Sequence, residues 1–355
     1  MKRIGLDLFK GSGLPRPGSK LANALPMCCL GILLFPVTLF VLGWNEKNYV
    51  CTHKNILHGQ KMAEVIGCEP RQNWYPDMVV YMSCDIHPES LQVFTPASFG
   101  ANGLQDGISF RAASGKQKAE MYQCVESSRT ETTNNGDKVR VYSYEMQWLS
   151  HHVDSSQFSF NGQAQHARQQ GCPYFGQMGN PPWPHDVPPS SSENYAQQIA
   201  AGPLSIGHSL IKGNAYSSGL QPTQRVNLQP FAARFRPFNQ LPQFPQPNGF
   251  QSVTTQNTAI TPDGMYIVTC PHTGGNAIGC MRISYFQSAA RAVSVLSAVQ
   301  GGYTRPIQVP SSWGCSADQF EALDGEKMSL QTFAAHLEEA RGADSDPFRS
   351  ISLCS

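Results

Sequence analysis

Charged residues are scarce in this sequence. Asp, Glu, Lys and Arg make up only 14% of its 355 residues, whereas they make up about 25% of an average soluble chain. The 26 basic and 25 acidic residues nearly cancel, and the net charge is +1. Proteins that bind nucleic acid present a basic surface to the phosphates, so this balance argues against a nucleic-acid partner. Hydrophobic residues at 40% can still supply a folded core, which excludes a chain that is disordered throughout.

The sequence also lacks the short motifs of several enzyme classes. It contains no G-x-S-x-G nucleophile elbow, no phosphate-binding P-loop and no G-x-G-x-x-G dinucleotide motif. His151 and His152 precede Asp154, but neighbouring residues on a strand point to opposite faces, so only one imidazole can share a face with the carboxylate. We therefore expect a non-enzymatic protein with no catalytic residues, no cofactor, no metal ligands and no small-molecule substrate.

One long apolar run lies near the N-terminus. Leu25–Leu42 is almost wholly apolar, and no charged residue occurs from Leu21 to Asn45. About 18–20 helical residues, at 1.5 Å each, are enough to cross the hydrocarbon core of a bilayer. We predict a transmembrane helix over residues 21–44, with Trp44 as an interfacial anchor. The residues after it lack the A-x-A pattern of signal-peptide cleavage, which favours a retained signal anchor over a cleaved signal.

The charges in front of the apolar run predict its orientation. Residues 1–20 form a basic tail with one acidic residue, Asp7, and five basic ones: Lys2, Arg3, Lys10, Arg16 and Lys20. The positive-inside rule then leaves the N-terminus cytosolic and places the body of the chain on the lumenal side. The same basic, acid-poor stretch could instead be an uncleaved targeting region for the mitochondrial inner membrane, and this alternative stays open.

Cysteine usage is compatible with an oxidising lumen. Of the 11 cysteines, Cys28 and Cys29 lie in the apolar run, and the nine others are scattered without a C-x-x-C pair. An odd number in a lumen predicts at least one free thiol or an intermolecular bridge, whereas in the alternative most of them are small buried hydrophobes. Cys270, His272 and Cys280 could supply three zinc ligands, although a loop between two strands explains their spacing better.

The clearest local structure is a β-hairpin over Ala119–Trp148. Four large apolar residues alternate with polar ones along its second strand: Tyr142, Tyr144, Met146 and Trp148. This period of two predicts that all four face the core. Asn135 and Gly136 are the preferred pair for a two-residue type I′ turn. Such a turn would place Glu131 directly opposite Arg140, as an exposed ion pair across the strands.

A change in composition separates two strand-rich parts, residues 45–171 and 251–315. Residues 172–250 hold 13 of the 26 prolines, which block helix interiors and central strands. The phenylalanines from Phe231 to Phe250 favour an extended segment that packs its rings along a neighbour, but a mobile Pro/Gln/Phe-rich insertion is an equally good interpretation.

Short strand signals occur on both sides of this segment: Met78–Met82, Tyr266–Thr269, Met281–Tyr285 and Ile307–Val309. Residues 316–355 are rich in Ala, Leu, Glu and Gln and predict a C-terminal helical segment. The predicted fold class is mainly β (α+β). We expect an antiparallel β-sandwich-like domain with one N-terminal transmembrane helix and C-terminal helices.

The hairpin, followed by Val153–Phe158, resembles the central block of the transmembrane protein 43 (LUMA) family. That block has an E-M-Y-Q-x-V-E strand, a charged turn, a Y-S-Y-x-x-x-W strand and a short spacer to S-x-x-F. Further resemblances follow in the family's order at Asn45-Glu46, Pro203–His208, Asp263–Tyr266 and Met281–Tyr285.

The resemblance implies a lumenal β-rich domain on a protein of the ER or inner nuclear membrane. The family associates with emerin and lamins and with itself, and it has no established enzymatic activity. Its chains continue into further membrane helices and have a shorter proline-rich stretch, whereas this sequence ends at Ser355. The expected function is therefore that of a single-pass scaffold or protein-interaction module. Its expected partners are the lipid bilayer, other membrane or envelope proteins and further copies of the chain. The alternative is an accessory subunit of a larger, mitochondrial membrane complex.

Overall fold

The computed structural model describes residues 17–71, 73–134, 137–159, 171–172, 179–242, 251–271, 278–311 and 315–344, without the side chains of 17–34 and 341–344. Within these residues, eighteen strands and three α-helices form a mainly β structure, which confirms the predicted fold class.

The helices are α1 (Pro17–Met62), α2 (His208–Lys212) and α3 (Leu330–Asp344). The strands of the first half are β1 (Glu64–Val65), β2 (Met78–Asp85), β3 (Gln92–Phe94), β4 (Phe110–Ala112), β5 (Ser114–Thr132), β6 (Lys138–Leu149), β7 (Ser191–Tyr195), β8 (Gln198–Ala201) and β9 (Leu204–Gly207). Those of the second half are β10 (Gln224–Arg225), β11 (Ala259–Ile260), β12 (Ile267–Val268), β13 (Met281–Gln287), β14 (Ala292–Gln300), β15 (Tyr303–Arg305), β16 (Ile307–Val309), β17 (Asp318–Phe320) and β18 (Ala322–Asp324).

The first sheet has the strand order β1-β2-β14-β15-β9-β8, and β18 also pairs with β14. Its two faces are covered differently, because alternate residues of a strand point to opposite sides. Val80 and Val293 pack into one apolar core, together with residues two positions away along the same strands. Tyr81 and Leu296 face the other way and are covered by α1 and α3. This double cover explains why β14 is buried from Ala292 to Val299.

The second sheet has the order β11-β12-β13-β5-β6, with β10 on β13 and β7 on β5. Its core contains Tyr285 of β13 and three phenylalanines from the segment before β5: Phe94, Phe99 and Phe110. The aromatic rings pack at centroid distances of 5.8–6.5 Å, within the range in which ring pairs add to burial.

The proline-rich stretch is part of both sheets over its described residues. It supplies β7 to the second sheet and β8 and β9 to the first. Phe231 and Phe235 pack against the core of the second sheet, as the extended-segment interpretation expects. Phe244 and Phe250 lie outside the described residues.

The prediction that a helical segment starts at residue 316 is wrong. Residues 318–324 form β17 and β18, and α3 begins only at Leu330. β17 pairs with β16, and β18 pairs with β14. These partners supply backbone hydrogen bonds from elsewhere in the chain, so the pairing overrides the local helix propensity.

The N-terminal helix continues past its predicted end at Trp44 to Met62. Its last turns pack on the body, where Ile56 is buried. Gly59 makes this contact possible, because a Cβ at this position would lie 2.7 Å from the ring of Phe320. The helix that contains the apolar run is therefore continuous with the body.

Candidate functional site

The predicted hairpin exists, but its register is offset by one residue. Arg140 lies opposite Thr130, and Glu131 lies opposite Val139. The predicted pairing of Glu131 with Arg140 is therefore wrong. Glu131 instead forms an ion pair with Arg129 on its own strand, at 2.6 Å. Two residues apart on a strand share a face, which allows this contact.

The loop of the hairpin is one residue longer than predicted. The Thr133 N–H donates to the Asp137 carbonyl at 2.8 Å, so three residues separate the closing pair. This length corresponds to a three-residue hairpin loop and not to the two-residue type I′ turn that gave the predicted register. Asn135 and Gly136 themselves lie outside the described residues.

The predicted core residues of the hairpin lie in two small clusters beside the main cores. Tyr144 is buried and packs against Phe158 and the Cys124–Cys172 disulfide. Tyr142 and Met146 are half-buried at the edge of the same cluster. These residues stabilise the hairpin locally, because the disulfide ties β5 to the segment that follows the hairpin.

Trp148 is half-buried in the second cluster, against the Cys270–Cys280 disulfide. Its ring lies 5.1 Å from that of Tyr122, its partner on β5. Because the ring is not fully buried, we expect its removal to cost less than the 3–5 kcal/mol or so that is typical of a fully buried tryptophan.

Beyond these clusters the hairpin projects into solvent. We call residues 127–134 and 137–143 the arm. Most of its residues are exposed, and Val139 has 45% of its surface accessible. Among the described residues, β6 pairs only with β5. Within the part of the chain that the structure describes, the outer edge of β6 along the arm therefore has no partner strand, and such edges are the feature that proteins use for pairing with another chain.

The base of the arm is held by side-chain hydrogen bonds. The buried Asn180 amide accepts from the Cys124 N–H and donates to the Cys124 carbonyl, both at 2.9 Å. The Glu126 carboxylate accepts from the Ser159 N–H at 2.9 Å and from the Tyr144 hydroxyl at 2.7 Å. An exposed arm on such a fixed base is suited to docking, because little conformational entropy is lost at its root.

A charged cluster lies next to Trp148. The Arg282 guanidinium donates to the Glu120 carboxylate at 2.7 Å and lies 4.4 Å from the Trp148 ring centroid. Lys118 contacts the other carboxylate oxygen at 2.8 Å. Burial raises the pKa of Glu120, but the hydrogen bonds and the positive charges of Arg282 and Lys118 together lower it by more, so the net pKa lies below the usual value.

Replacement of this carboxylate should destabilise the body in a pH-dependent way. We expect Glu120→Gln to cost about 1.5–3 kcal/mol at neutral pH, because Arg282 loses a charged partner. Because the pKa of Glu120 is lower in the folded state, its carboxylate stabilises the fold at pH values above its unfolded-state pKa. This stabilisation is lost as the pH falls through the folded-state pKa. The difference between the wild type and the variant should therefore shrink below about pH 4. Urea unfolding of both proteins at several pH values measures this difference in the free energy of unfolding. A difference that does not change with pH would contradict the lowered pKa of Glu120.

The base of α1 is the second candidate site. The Cys51–Cys315 disulfide joins α1 to the segment before β17, with a Cα–Cα distance of 5.6 Å. The buried Asn55 amide donates to the Asp318 carboxylate at 2.8 Å and to the Tyr216 hydroxyl at 2.7 Å. These bonds and the disulfide fix the direction in which α1 leaves the body.

On the N-terminal side of this joint, α1 carries a run of exposed apolar side chains. They include Phe35, Val37, Leu39, Phe40, Val41, Leu42 and Trp44. Within the helices whose side chains are described, none is both long and apolar enough to cross a membrane. The predicted segment Leu25–Leu42 lies partly outside this set, since side chains are described only from Phe35.

Four disulfides pair eight of the nine cysteines that follow the apolar run: Cys51–Cys315, Cys68–Cys84, Cys124–Cys172 and Cys270–Cys280. The ninth, Cys354, lies outside the described residues, as does His272. Since Cys270 and Cys280 are bonded to each other, their sulfurs are not thiolate ligands for zinc.

Asp154 accepts from the Ser156 N–H at 3.0 Å and caps a short turn.

Comparison with known proteins identifies the family. A family model described as transmembrane protein 43 matches residues 121–349, more than half of the chain. The chain belongs to the transmembrane protein 43 family. The resemblance based on the hairpin motif is thus confirmed. No curated protein and no solved structure matches the chain.

Membership of the transmembrane protein 43 family makes this chain a membrane protein. The match begins within β5 and includes the arm, Arg282 and Cys315, but not Lys118 or Glu120. It does not include α1, so the apolar run Leu25–Leu42 lies outside the part of the chain that identifies the family.

Proposed function

We propose that this protein is a non-enzymatic scaffold of an endomembrane, in the ER or the nuclear envelope. Leu25–Leu42 anchors it, with residues 1–20 in the cytosol and the β-rich body in the lumen. The observation that carries the proposal is the joint at the base of α1. A continuous helix and the Cys51–Cys315 bridge would transmit the position of the membrane rigidly to the body.

The disulfides support the lumenal side. Disulfides form and persist in oxidising compartments and are rare in the cytosol. Four of them in the described part of the body therefore favour an orientation in which the chain after Trp44 is translocated. The basic residues before the apolar run favour the same orientation independently.

The orientation can be tested in sealed microsomes. Protease added from outside should leave the body from Asn45 onward intact and remove only the tail before Lys20. Neutralising the five basic residues of that tail should weaken the orientation, because they are its main determinant. Digestion of the body in vesicles that still protect a lumenal marker would contradict the proposal.

The proposed partners are other membrane or envelope proteins and further copies of the chain, bound through the arm. An exposed valine of the arm, Val139, has a matched control in Val65 of β1, with 45% and 66% of their surfaces accessible. We expect Val139→Asp to reduce co-purifying proteins at least about tenfold, as the loss of a central interface residue does. Val65→Asp should leave them unchanged. Equal recovery with both variants, after mild-detergent purification and mass spectrometry, would exclude the arm.

The same purification tests the alternative, an accessory subunit of a larger, mitochondrial membrane complex. The basic and acid-poor tail of residues 1–20 favours it, since such segments target mitochondria. Co-purification of respiratory subunits would favour the mitochondrial complex, and co-purification of ER or envelope proteins would favour the scaffold.

A further inference from the structure

The two faces of the arm differ in charge. Lys138 lies opposite Thr132, and Arg140 lies opposite Thr130. Residues directly opposite each other in an antiparallel pair share a face, and so do alternate residues of one strand. We call this side of the arm the basic face; it carries Lys138, Arg140 and Tyr142 of β6 and Ser128, Thr130 and Thr132 of β5. The described residues of the basic face thus include two cations and no acidic residue.

The carboxylates of the arm and its base do not neutralise these cations. Glu131 belongs to the opposite face, and Asp137 precedes Lys138, so its side chain points away from the basic face as well. Glu126 is farther along β5 at the base, where its carboxylate accepts the hydrogen bonds described above. None of the ion pairs between described residues involves Lys138 or Arg140. This is a consequence of the observed register, since the predicted one would have placed Glu131 opposite Arg140.

The open part of the β6 edge is short. Toward the base of the arm, Gly171 lies so close to the Tyr144 carbonyl that a Cβ would collide with it. Along residues 138–143, β6 has no partner strand among the described residues on its outer side. This edge is therefore long enough for a segment of about six residues, and the basic face lies directly beside it.

A strand added to this edge would meet a different surface on each side. Its side chains would alternate between the basic face and the face that carries Val139 and Val141. Val139 is exposed and Val141 is half-buried. Lys138 and Arg140 are two positions apart, so they match acidic residues that are also two positions apart, with an apolar residue between them.

We propose that the edge of β6 along the arm binds an extended acidic segment of another protein, in which two acidic residues flank an apolar one. In strand addition, main-chain hydrogen bonds supply affinity and alternate side chains supply specificity. Opposite charges across the added pair are stabilising, whereas like charges are destabilising. The inference rests on the docking role proposed for the arm, and it narrows the partners of this edge to one chemical class.

The β6 strand of a second copy does not fit the same edge. When two identical strands pair antiparallel about a twofold axis, equivalent faces lie on the same side of the joined sheet. The basic faces of two copies would then bring four cations together, from Lys138 and Arg140 of each. Like charges across a strand pair are destabilising, so this edge selects a different protein.

The test measures the binding of three labelled peptides to the full chain in mild detergent by fluorescence anisotropy. They have the sequence T-V-x-V-x-V-T, with glutamate, glutamine or lysine at both x positions. We expect the glutamate peptide to bind at least about tenfold more tightly than the lysine peptide, with the glutamine peptide between them. The Lys138→Glu, Arg140→Glu double variant should reverse this order. The Lys61→Glu, Arg111→Glu variant changes the net charge equally at exposed positions outside the arm and should keep the wild-type order.

N-methylated forms of the glutamate peptide test whether it binds as a strand. Alternate N–H groups of an added strand point to the edge, and the others point to solvent. Methylation of the first set should abolish binding, and methylation of the second set should leave it nearly unchanged. Equal effects of the two sets would show that the peptide is attracted by charge without strand addition, which would overturn the inference.

Two further results would overturn it. Equal binding or no binding of all three peptides would exclude an acidic partner, and an unchanged order in the Lys138→Glu, Arg140→Glu variant would exclude the basic face. The docking role of the arm fails separately. If Val139→Asp retains every co-purifying protein, the arm is not a docking surface. If Val139→Asp loses those proteins while the wild type does not distinguish the peptides, the acidic segment alone is refuted.

Discussion

Removal of the Cys51–Cys315 disulfide is expected to destabilise the protein more than removal of any shorter bridge. The two cysteines are 264 residues apart, and the other three disulfides shorten this loop only in part. In the chain-entropy model a loop of this size is worth roughly 5 kcal/mol, against roughly 3 kcal/mol for a short one. The Cys51→Ser, Cys315→Ser double variant should therefore lower the urea midpoint strongly, as measured by tryptophan fluorescence in mild detergent.

The matched control is the Cys270→Ser, Cys280→Ser double variant, since that bridge closes a loop of only 10 residues. It should lose about 2 kcal/mol less than the first variant. Equal destabilisation by the two variants would contradict the role assigned to Cys51–Cys315, because the short bridge does not join α1 to the body.

The second large effect is expected at Tyr285, the largest fully buried side chain among the residues that the structure describes. Its ring packs against Phe99 and Phe110, and its hydroxyl donates to the Gln117 side-chain oxygen at 2.8 Å. We expect Tyr285→Ala to cost about 3–5 kcal/mol through the cavity it leaves in the core of the second sheet. Tyr285→Phe should cost about 1–3 kcal/mol, because the Gln117 oxygen would lose its partner.

Tyr303 provides the control, since 57% of its surface is accessible. Tyr303→Ala should change the free energy of unfolding by less than about 0.5 kcal/mol. Burial also raises the pKa of the Tyr285 hydroxyl, so the phenol stays neutral and no pH dependence is expected from it near neutrality. A loss at Tyr285→Ala as small as that at Tyr303→Ala would show that the second sheet does not depend on this ring.

The two largest effects thus fall on different parts of the protein. The Cys51–Cys315 variant weakens the joint between α1 and the body, and the Tyr285 variants weaken the core of the sheet that carries the arm. If the arm binds partners, the Tyr285 variants should lose binding only in proportion to lost folding. Val139→Asp should lose binding while the body remains folded, because this exposed side chain has no role in the core.

Local patterns in the sequence were sufficient for the class of fold and for several of its elements. The alternation at Tyr142, Tyr144, Met146 and Trp148 predicted β6, and the strands at Met78–Met82 and Met281–Tyr285 also form where predicted. Such patterns work because the period of side chains along a strand is local. The same hairpin motif was specific enough to identify the family.

The features that hold the candidate sites together were not predictable from local patterns. Asn180 is one asparagine in a proline-rich stretch, and nothing in its neighbourhood marks it as the residue that binds the backbone of Cys124. Arg282 and Glu120 meet only because β13 and β5 are adjacent and in register. Both contacts join residues more than 50 positions apart, which periodicity does not encode.

The sequence by itself therefore determined a mainly β membrane protein of the transmembrane protein 43 family with a central hairpin. The tertiary structure alone decided the register of that hairpin, the four disulfide pairs and the strands at residues 318–324. The physical reason is the same in each case. A strand or a cysteine can pair with many partners of equal local propensity, and the partner is selected by packing across the whole chain.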